Sequence, residues 1–263
     1  MAAANVLSFL WRVAASLFWG EVLRKDIHNS DIPALCVSCE ARHRGICGAL
    51  TPEQLTALNK TTSRRSYDSG AELVSDGEPQ ETYSNVISGV VKLTKLMADG
   101  RQQIVGLQFA PDFLGRPLKR DSALSAETAT EVELCHFPKA ALERMMRESP
   151  ELEHKLLEQS LKELDEAREW MLTLGRKTAS ERVAHFILLI ARHVDPNIDL
   201  EAGEAVAFDL PLTRADIADF LGLTIETVSR QITKLRKAGI ITVENNRHVV
   251  IPNLSRLEEV SGS

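Results

Sequence analysis

The chain has 263 residues, 44% apolar and 26% charged, the composition of an ordinary globular protein long enough for more than one domain. A formal net charge of −6 excludes a generally basic surface, so any nucleic-acid contact has to come from a local patch. Four cysteines exclude a disulfide-stapled scaffold, yet three of them crowd into the twelve residues CVSCEARHRGIC, and the fourth, Cys135, lies far downstream.

Residues 6–20, VLSFLWRVAASLFWG, are apolar but interrupted by Arg12. They fall short of the roughly 20 residues of a membrane-spanning helix and lack the basic flank and cleavage site of a secretion signal. No membrane span is expected; residues 1–30 read as an extension of unassigned role, residues 6–20 within it as an appended amphipathic helix. The cysteine segment follows. Clustered cysteines in an intracellular, cytoplasmic chain point to metal binding or redox chemistry more than to structural bridges.

Thr51-Pro52, with Gln54 three residues after the threonine, predicts a capped helix start. Over residues 66–137, short β-rich runs alternate with glycine turns, and Asp99-Gly100 marks a hairpin. This texture predicts an antiparallel barrel or jelly roll. Residues 138–147 suit a short helix, and Pro150 opens a long one ended by Gly175. Leu164, Ala167, Met171 and Leu174 recur at coiled-coil spacing, which predicts a seam for a second copy of the chain. Thr178 and Glu181 form a capping box for the next helix, whose buried face carries Val183, Phe186, Ile187 and Ile190. Residues 195–204 read as a polar connector.

The most specific signal spans residues 212–251. Thr213 and Asp216 cap a short helix with Ile217, Ala218 and Leu221 inside, and Gly222 permits a sharp turn. Thr224 caps a second helix with Val228, Ile232 and Leu235 inside, closed by Gly239. Asn245-Asn246 then reads as the type I′ turn of a hairpin, the wing of a winged helix–turn–helix. Between Leu212 and Gly239, Arg214, Arg230, Lys234, Arg236 and Lys237 outnumber Asp216, Asp219 and Glu226 by two. Major-groove readout needs polar side chains near the start of the second helix. Arg230 can pair with guanine, Glu226 can accept from cytosine N4, and Ser229 can serve a neighbouring base. Thr213, Thr224, Thr227 and Lys234 are candidates for the DNA backbone.

Four thiolates suit zinc or an iron–sulfur cluster. His43 gives a rival set, Cys36, Cys39, His43 and Cys47, that would hold zinc within one loop and leave Cys135 free. A thiol redox switch is the third alternative, and spacing does not separate the three. In EVELCHF, Cys135 shares strand parity with Glu131 and Glu133, opposite Val132 and Leu134. That parity places it off the core face, toward any segment wrapped outside the barrel.

A β-roll, a long dimerisation helix and a winged helix–turn–helix together resemble the cyclic-AMP receptor protein superfamily, an α+β fold. The four cysteines and the run ETVSR, residues 226–230, resemble its fumarate-and-nitrate-reduction (FNR) branch, and the C-x2-C-x7-C spacing is similar to the FnrN/FnrL type. The resemblance covers residues 31–254 and implies a sensor at 31–147, a dimerisation helix at 148–177 and a DNA-binding unit at 178–263. It implies a [4Fe–4S] cluster on Cys36, Cys39, Cys47 and Cys135, supporting a DNA-binding homodimer without oxygen and lost in air. It implies that Glu226, Ser229 and Arg230 read TTGAT-like half-sites of an inverted repeat in double-stranded DNA. It further implies a regulator, mainly an activator of anaerobic or microaerobic genes, that contacts RNA polymerase and is not an enzyme. Cyclic nucleotide is not expected. Nucleotide-binding members carry a Gly-Glu pair and a later Arg-Ser, whereas here Gly115 is followed by Arg116 and no Arg-Ser lies near Ser125.

Overall fold

The computed structural model describes residues 32–194 and 205–262. The stretch 6–20 and the connector 195–204 lie outside the described residues. The cysteine segment is a chain of short turns: α1 (Ala34–Val37), α2 (Glu40–His43) and a 3₁₀ turn (Ile46–Ala49). Helix α3 (Pro52–Asn59) opens on the expected capping box between Thr51 and Gln54.

Eight strands follow: β1 (Ser63–Tyr67), β2 (Glu72–Val74), β3 (Thr82–Ser88), β4 (Val90–Leu96), β5 (Gln102–Phe109), β6 (Phe113–Leu114), β7 (Ser125–Thr128) and β8 (Val132–Pro138). They form two antiparallel sheets in the orders β1-β8-β3-β6 and β2-β7-β4-β5, the expected jelly roll. Val86, Val91, Leu114, Ala126, Val132 and Leu134 meet between the sheets. A second apolar cluster lies on the outer side of β8. There Phe137 packs with Ile46 and Leu50 of the cysteine segment, Leu55 and Leu58 of α3, and Leu152 and Leu156 further on.

Helix α4 (Lys139–Glu148) leads into α5 (Pro150–Arg176), capped by Ser149 with Pro150 in its first turn. It runs one residue past Gly175. Its exposed apolar stripe begins earlier than the sequence suggests. Leu157 (56% exposed), Leu161 (52%), Leu164 (44%) and Met171 (72%) recur at 4, 3 and 7 residues, an a/d spacing. Of the four residues expected at a seam, Leu164 and Met171 lie on this stripe. Ala167 is exposed too and borders a cavity against β5, and Leu174 is half-buried with its carbonyl taken by Arg182. On the same flank Trp170 packs at 4.3 Å from Phe220.

Helix α6 (Ala179–Val194) opens on the Thr178–Glu181 capping box. Beyond it come β9 (Val206–Asp209), α7 (Arg214–Leu221), α8 (Ile225–Lys237), the hairpin β10 (Thr242–Glu244) and β11 (His248–Ile251), and α9 (Leu254–Ser261). Gly222 takes a left-handed conformation (φ 61°) between α7 and α8, as a helix–turn–helix requires. Asn245 and Asn246 both have positive φ (49° and 59°), the type I′ turn of a wing. The sequence reading missed β9, which extends the wing to three strands in the order β10-β11-β9, and α9, which packs on α6. The alternation of buried Val206 and Phe208 with exposed Ala207 and Asp209 is the signal for β9.

The helix–turn–helix unit is docked on the outer face of β4 and β5. Val90, Ile104 and Phe109 join its core. Lys92, nearly buried, donates to Asp216 Oδ1 at 2.8 Å and lies 2.9 Å from Glu127. Arg182 donates to the carbonyls of Leu174, Lys177 and Leu221, tying the end of α5, the α5–α6 joint and the end of α7 together. No helix among the described residues is long and apolar enough to cross a membrane.

Truncating Lys92 leaves two carboxylates facing each other with no cation between them. Lys92→Met should therefore destabilise the chain by about 3 kcal/mol in urea unfolding, whereas a change within ±0.5 kcal/mol would show the pair to be incidental.

Candidate metal centre and nucleic-acid interface

All four cysteines line one cavity of about 120 Å³, enclosed by α1, α2, the 3₁₀ turn, α3 and the outer face of β1, β8 and β3. They are free thiols, each half-buried. Cys135 reaches the cavity because β8 turns it away from Val132 and Leu134, the side that parity predicts. Cys36 and Cys39 are brought there by α1 and the start of α2, and Cys47 by the 3₁₀ turn. That turn lies tight on α2: a Cβ on Gly48 would sit 2.7 Å from the Arg42 carbonyl, so only glycine fits beside Cys47.

The strand register explains how the loop is held. Cys135 pairs with Arg64 of β1 on one side and with Asn85 of β3 on the other. Arg64 donates to the Leu35 carbonyl at 2.6 Å, next to Cys36. Asn85 donates through Nδ2 to Cys47 Sγ at 3.2 Å. The row Arg64–Cys135–Asn85 thus grips the cysteine segment at two points. Neither Arg64 nor Asn85 stands out in the sequence, because only the strand pairing places them beside Cys135.

Burial pushes the Cys47 thiol up to about 12, with Cys135, Cys39 and Cys36 adding to the shift and the Asn85 hydrogen bond opposing it. Burial also raises Cys135 to about 11, opposed by the Arg64 guanidinium and reinforced by Cys39, Cys36 and Glu133. Cys36 moves upward through burial and then Cys39, with Arg64 and Arg42 opposing. Cys36, Cys47 and Cys135 each feel the charge of neighbouring cysteines, as groups that share one site do.

His43 does not line the cavity. It is exposed, and its Nε2 lies 3.0 Å from the Val37 carbonyl. Among the described residues, no three His, Cys, Asp or Glu side chains are gathered as a single metal ion would gather them. Sulfur is the only metal-binding donor type on the cavity wall apart from the amides and hydroxyl of Asn59, Asn85 and Thr62. Arg42 and Arg64 on the same wall offset the negative charge that four thiolates would bring. This donor set fits an iron–sulfur cluster on four cysteines.

At the other end of the chain, Glu226, Ser229 and Arg230 are exposed on the first turns of α8, spaced so that they share one face. Thr224 caps this helix by accepting from the Thr227 amide, and its hydroxyl lies 2.9 Å from that of Thr227. The Thr213 hydroxyl donates to Asp216 Oδ2 and accepts from the Asp216 amide, so it serves the α7 cap. Lys234 is exposed one turn beyond Arg230. Arg214 donates to the Asn246 carbonyl and fastens the wing to α7.

A β-roll joined by a long helix to a winged helix–turn–helix defines a DNA-binding transcription regulator. Residues 64–149 match the cyclic nucleotide-binding domain family and residues 181–260 the Crp-like helix-turn-helix domain family. The chain is 55% identical over 91% of its length to a "probable transcriptional activator" of Rhizobium leguminosarum bv. viciae, covering 98% of that protein. It is 42% identical over 86% of its length to the transcriptional activator protein FnrL of Cereibacter sphaeroides, covering 92% of it. The solved structure of FixK2 from Bradyrhizobium japonicum superposes with a TM-score of 0.69 at 34% identity, over 77% of this chain and 98% of that one. The chain belongs to the CRP/FNR family of transcription regulators, in its FNR/FixK branch.

In the metal-free protein at pH 8, a thiol shifted to about 12 is ionised in only on the order of one molecule in 10⁴. Cys47 should accordingly be the slowest of the four to be alkylated by iodoacetamide, followed by Cys135, with both reacting fully only in denaturant. Peptide mapping by mass spectrometry reads this order directly.

Proposed function

We propose that the chain is an oxygen-responsive transcriptional activator that works as a homodimer and carries a [4Fe–4S] cluster on Cys36, Cys39, Cys47 and Cys135. The observation that carries the reading is the single cavity lined by all four cysteines, with His43 turned out of it. The activator names of the relatives support the regulatory part. When bound, the cluster supplies an oxygen-labile centre. The sensor is residues 31–147, the dimerisation helix 148–177 and the DNA-binding unit 178–263. The regulator works in the cytoplasm, with RNA polymerase as its partner at the promoter.

The chain's own residues supply the link from site to dimer. Ile46, beside Cys47, is fully buried, and it shares an apolar cluster with Leu152 and Leu156 at the start of α5. A shift of the Cys47 turn therefore displaces the base of the helix whose exposed stripe, Leu157 to Met171, is the proposed seam. Favouring the paired state decisively takes a few kcal/mol, the scale of any two-state switch. In the dimer, two α8 helices related by a two-fold lie about 34 Å apart and enter successive major grooves. Glu226, Ser229 and Arg230 read TTGAT-like half-sites there, while Thr213, Thr224, Thr227 and Lys234 meet the backbone through amides or side chains.

Cyclic nucleotide is not part of this reading. At the corresponding stretch, Gly115 is packed so closely on Tyr83 that a Cβ would meet the ring at 2.4 Å. The next residue is Arg116, whose carbonyl accepts from the Tyr83 hydroxyl, where a ribose would need an acid. The second reading is a zinc site on Cys36, Cys39, His43 and Cys47, and it requires His43 to leave the Val37 carbonyl and swing inward.

Anaerobic purification separates the two readings. A brown protein with equal iron and sulfide that bleaches in air is expected, and Cys135→Ala should lose the colour. A colourless protein with one zinc, retained in Cys135→Ala, would falsify the cluster. For the DNA contact, Arg230→Ala should weaken anaerobic binding to an inverted TTGAT-like repeat by about 1–3 kcal/mol and relax the preference at one base pair. Fluorescence anisotropy against a base-substituted duplex checks both effects, and a uniform loss across sequences would reassign Arg230 to the backbone.

A further inference from the structure

Asn85 is 1% exposed, in the middle of β3, between Cys135 of β8 and Phe113 of β6. Its Nδ2 donates to Cys47 Sγ at 3.2 Å, while its Oδ1 is buried and has no hydrogen-bond partner. A half-satisfied amide is a poor choice for the fold alone. An apolar residue of similar volume would remove an unpaired acceptor and lose only a weak bond to sulfur. The orientation is also informative. A thiolate bound to iron has no proton and can only accept, so the amide nitrogen is the end that suits a metal-bound Cys47, and the oxygen is the end left without a partner.

Resting on the cluster reading above, we propose that Asn85 is a positioning residue for the iron–sulfur site, donating an N–H···S hydrogen bond to Cys47 that fixes this ligand and sets the electronic properties of the cluster. Hydrogen bonds to ligand sulfurs withdraw electron density from them and raise the reduction potential of the cluster. Asn85 therefore acts at the one ligand whose turn packs against the base of α5. It joins the chemistry of the cluster to the helix that carries the proposed seam. Arg64, on the other flank of Cys135, binds the Leu35 carbonyl at 2.6 Å, so it places the loop without a hydrogen bond to a sulfur.

The test compares the wild-type chain with Asn85→Leu and Asn85→Asp, both of similar size and both lacking the amide donor. In the metal-free proteins, the thermal midpoint of Asn85→Leu should equal or exceed that of the wild type. In the anaerobically loaded proteins, the Fe–S(Cys) stretching band in resonance Raman spectra should shift, and the reduction potential should fall in both variants. Failure of a folded variant to take up the cluster also supports the role. An unchanged stretching band and potential in a variant that holds its cluster would overturn the proposal and leave the cluster reading intact. Unfolding of both metal-free variants would also overturn it, by making Asn85 a residue of the fold. A wild-type chain that takes up no cluster overturns the cluster reading and this proposal together.

Discussion

Strand β8 has to be buried on both faces, and much of the N-terminal half of the structure follows from that constraint. Val132 and Leu134 close the inside of the jelly roll, while Cys135 and Phe137 face outward. An outward face of this kind would be a liability on a bare sheet. The cysteine segment, α3, α4 and the first turns of α5 cover it and bury Phe137, Ile46, Leu142 and Leu152 together. The four thiols are therefore trapped at the boundary between a rigid sheet and a thin covering layer made of short turns.

The regular parts of this architecture were legible from local signals. The Thr51, Thr178 and Thr213 boxes, Pro150, Gly222 and the Asn245-Asn246 turn each act within a few residues, so their chemistry can be read along the chain. The strand parity of Cys135 was legible for the same reason. What stayed hidden depends on distant partners. Arg64 and Asn85 become neighbours of Cys135 only through the pairing of β1 and β3 with β8. The exposed apolar stripe of α5 also takes in Leu157 and Leu161, because heptad spacing does not say which flank the rest of the chain will claim. Trp170 and Phe220 decide that, and they are fifty residues apart. Spacing alone left His43 open as a ligand; its bond distance to the Val37 carbonyl could only come from the folded loop.

The β-roll and the helix–turn–helix unit are more continuous than a three-part reading of the sequence suggests. The apolar core of the helix–turn–helix includes Val90, Ile104 and Phe109 from the β-roll, and Gln103 donates to the Phe220 carbonyl. Arg182, in the first turn of α6, satisfies the carbonyls of Leu174 in α5, Lys177 in the α5–α6 joint and Leu221 at the end of α7. In this arrangement α8 is fully formed and its polar face is open.

Asp216 divides its two oxygens between separate duties. Oδ2 receives the amide and hydroxyl of Thr213 and so closes the cap of α7, while Oδ1 receives Lys92 from the β-roll. Breaking the contact with Lys92 removes nothing from the cap. The cap of α7 is therefore complete in itself, while the docking of the helix–turn–helix on the β-roll rests on Lys92 together with Val90, Ile104, Phe109 and Gln103.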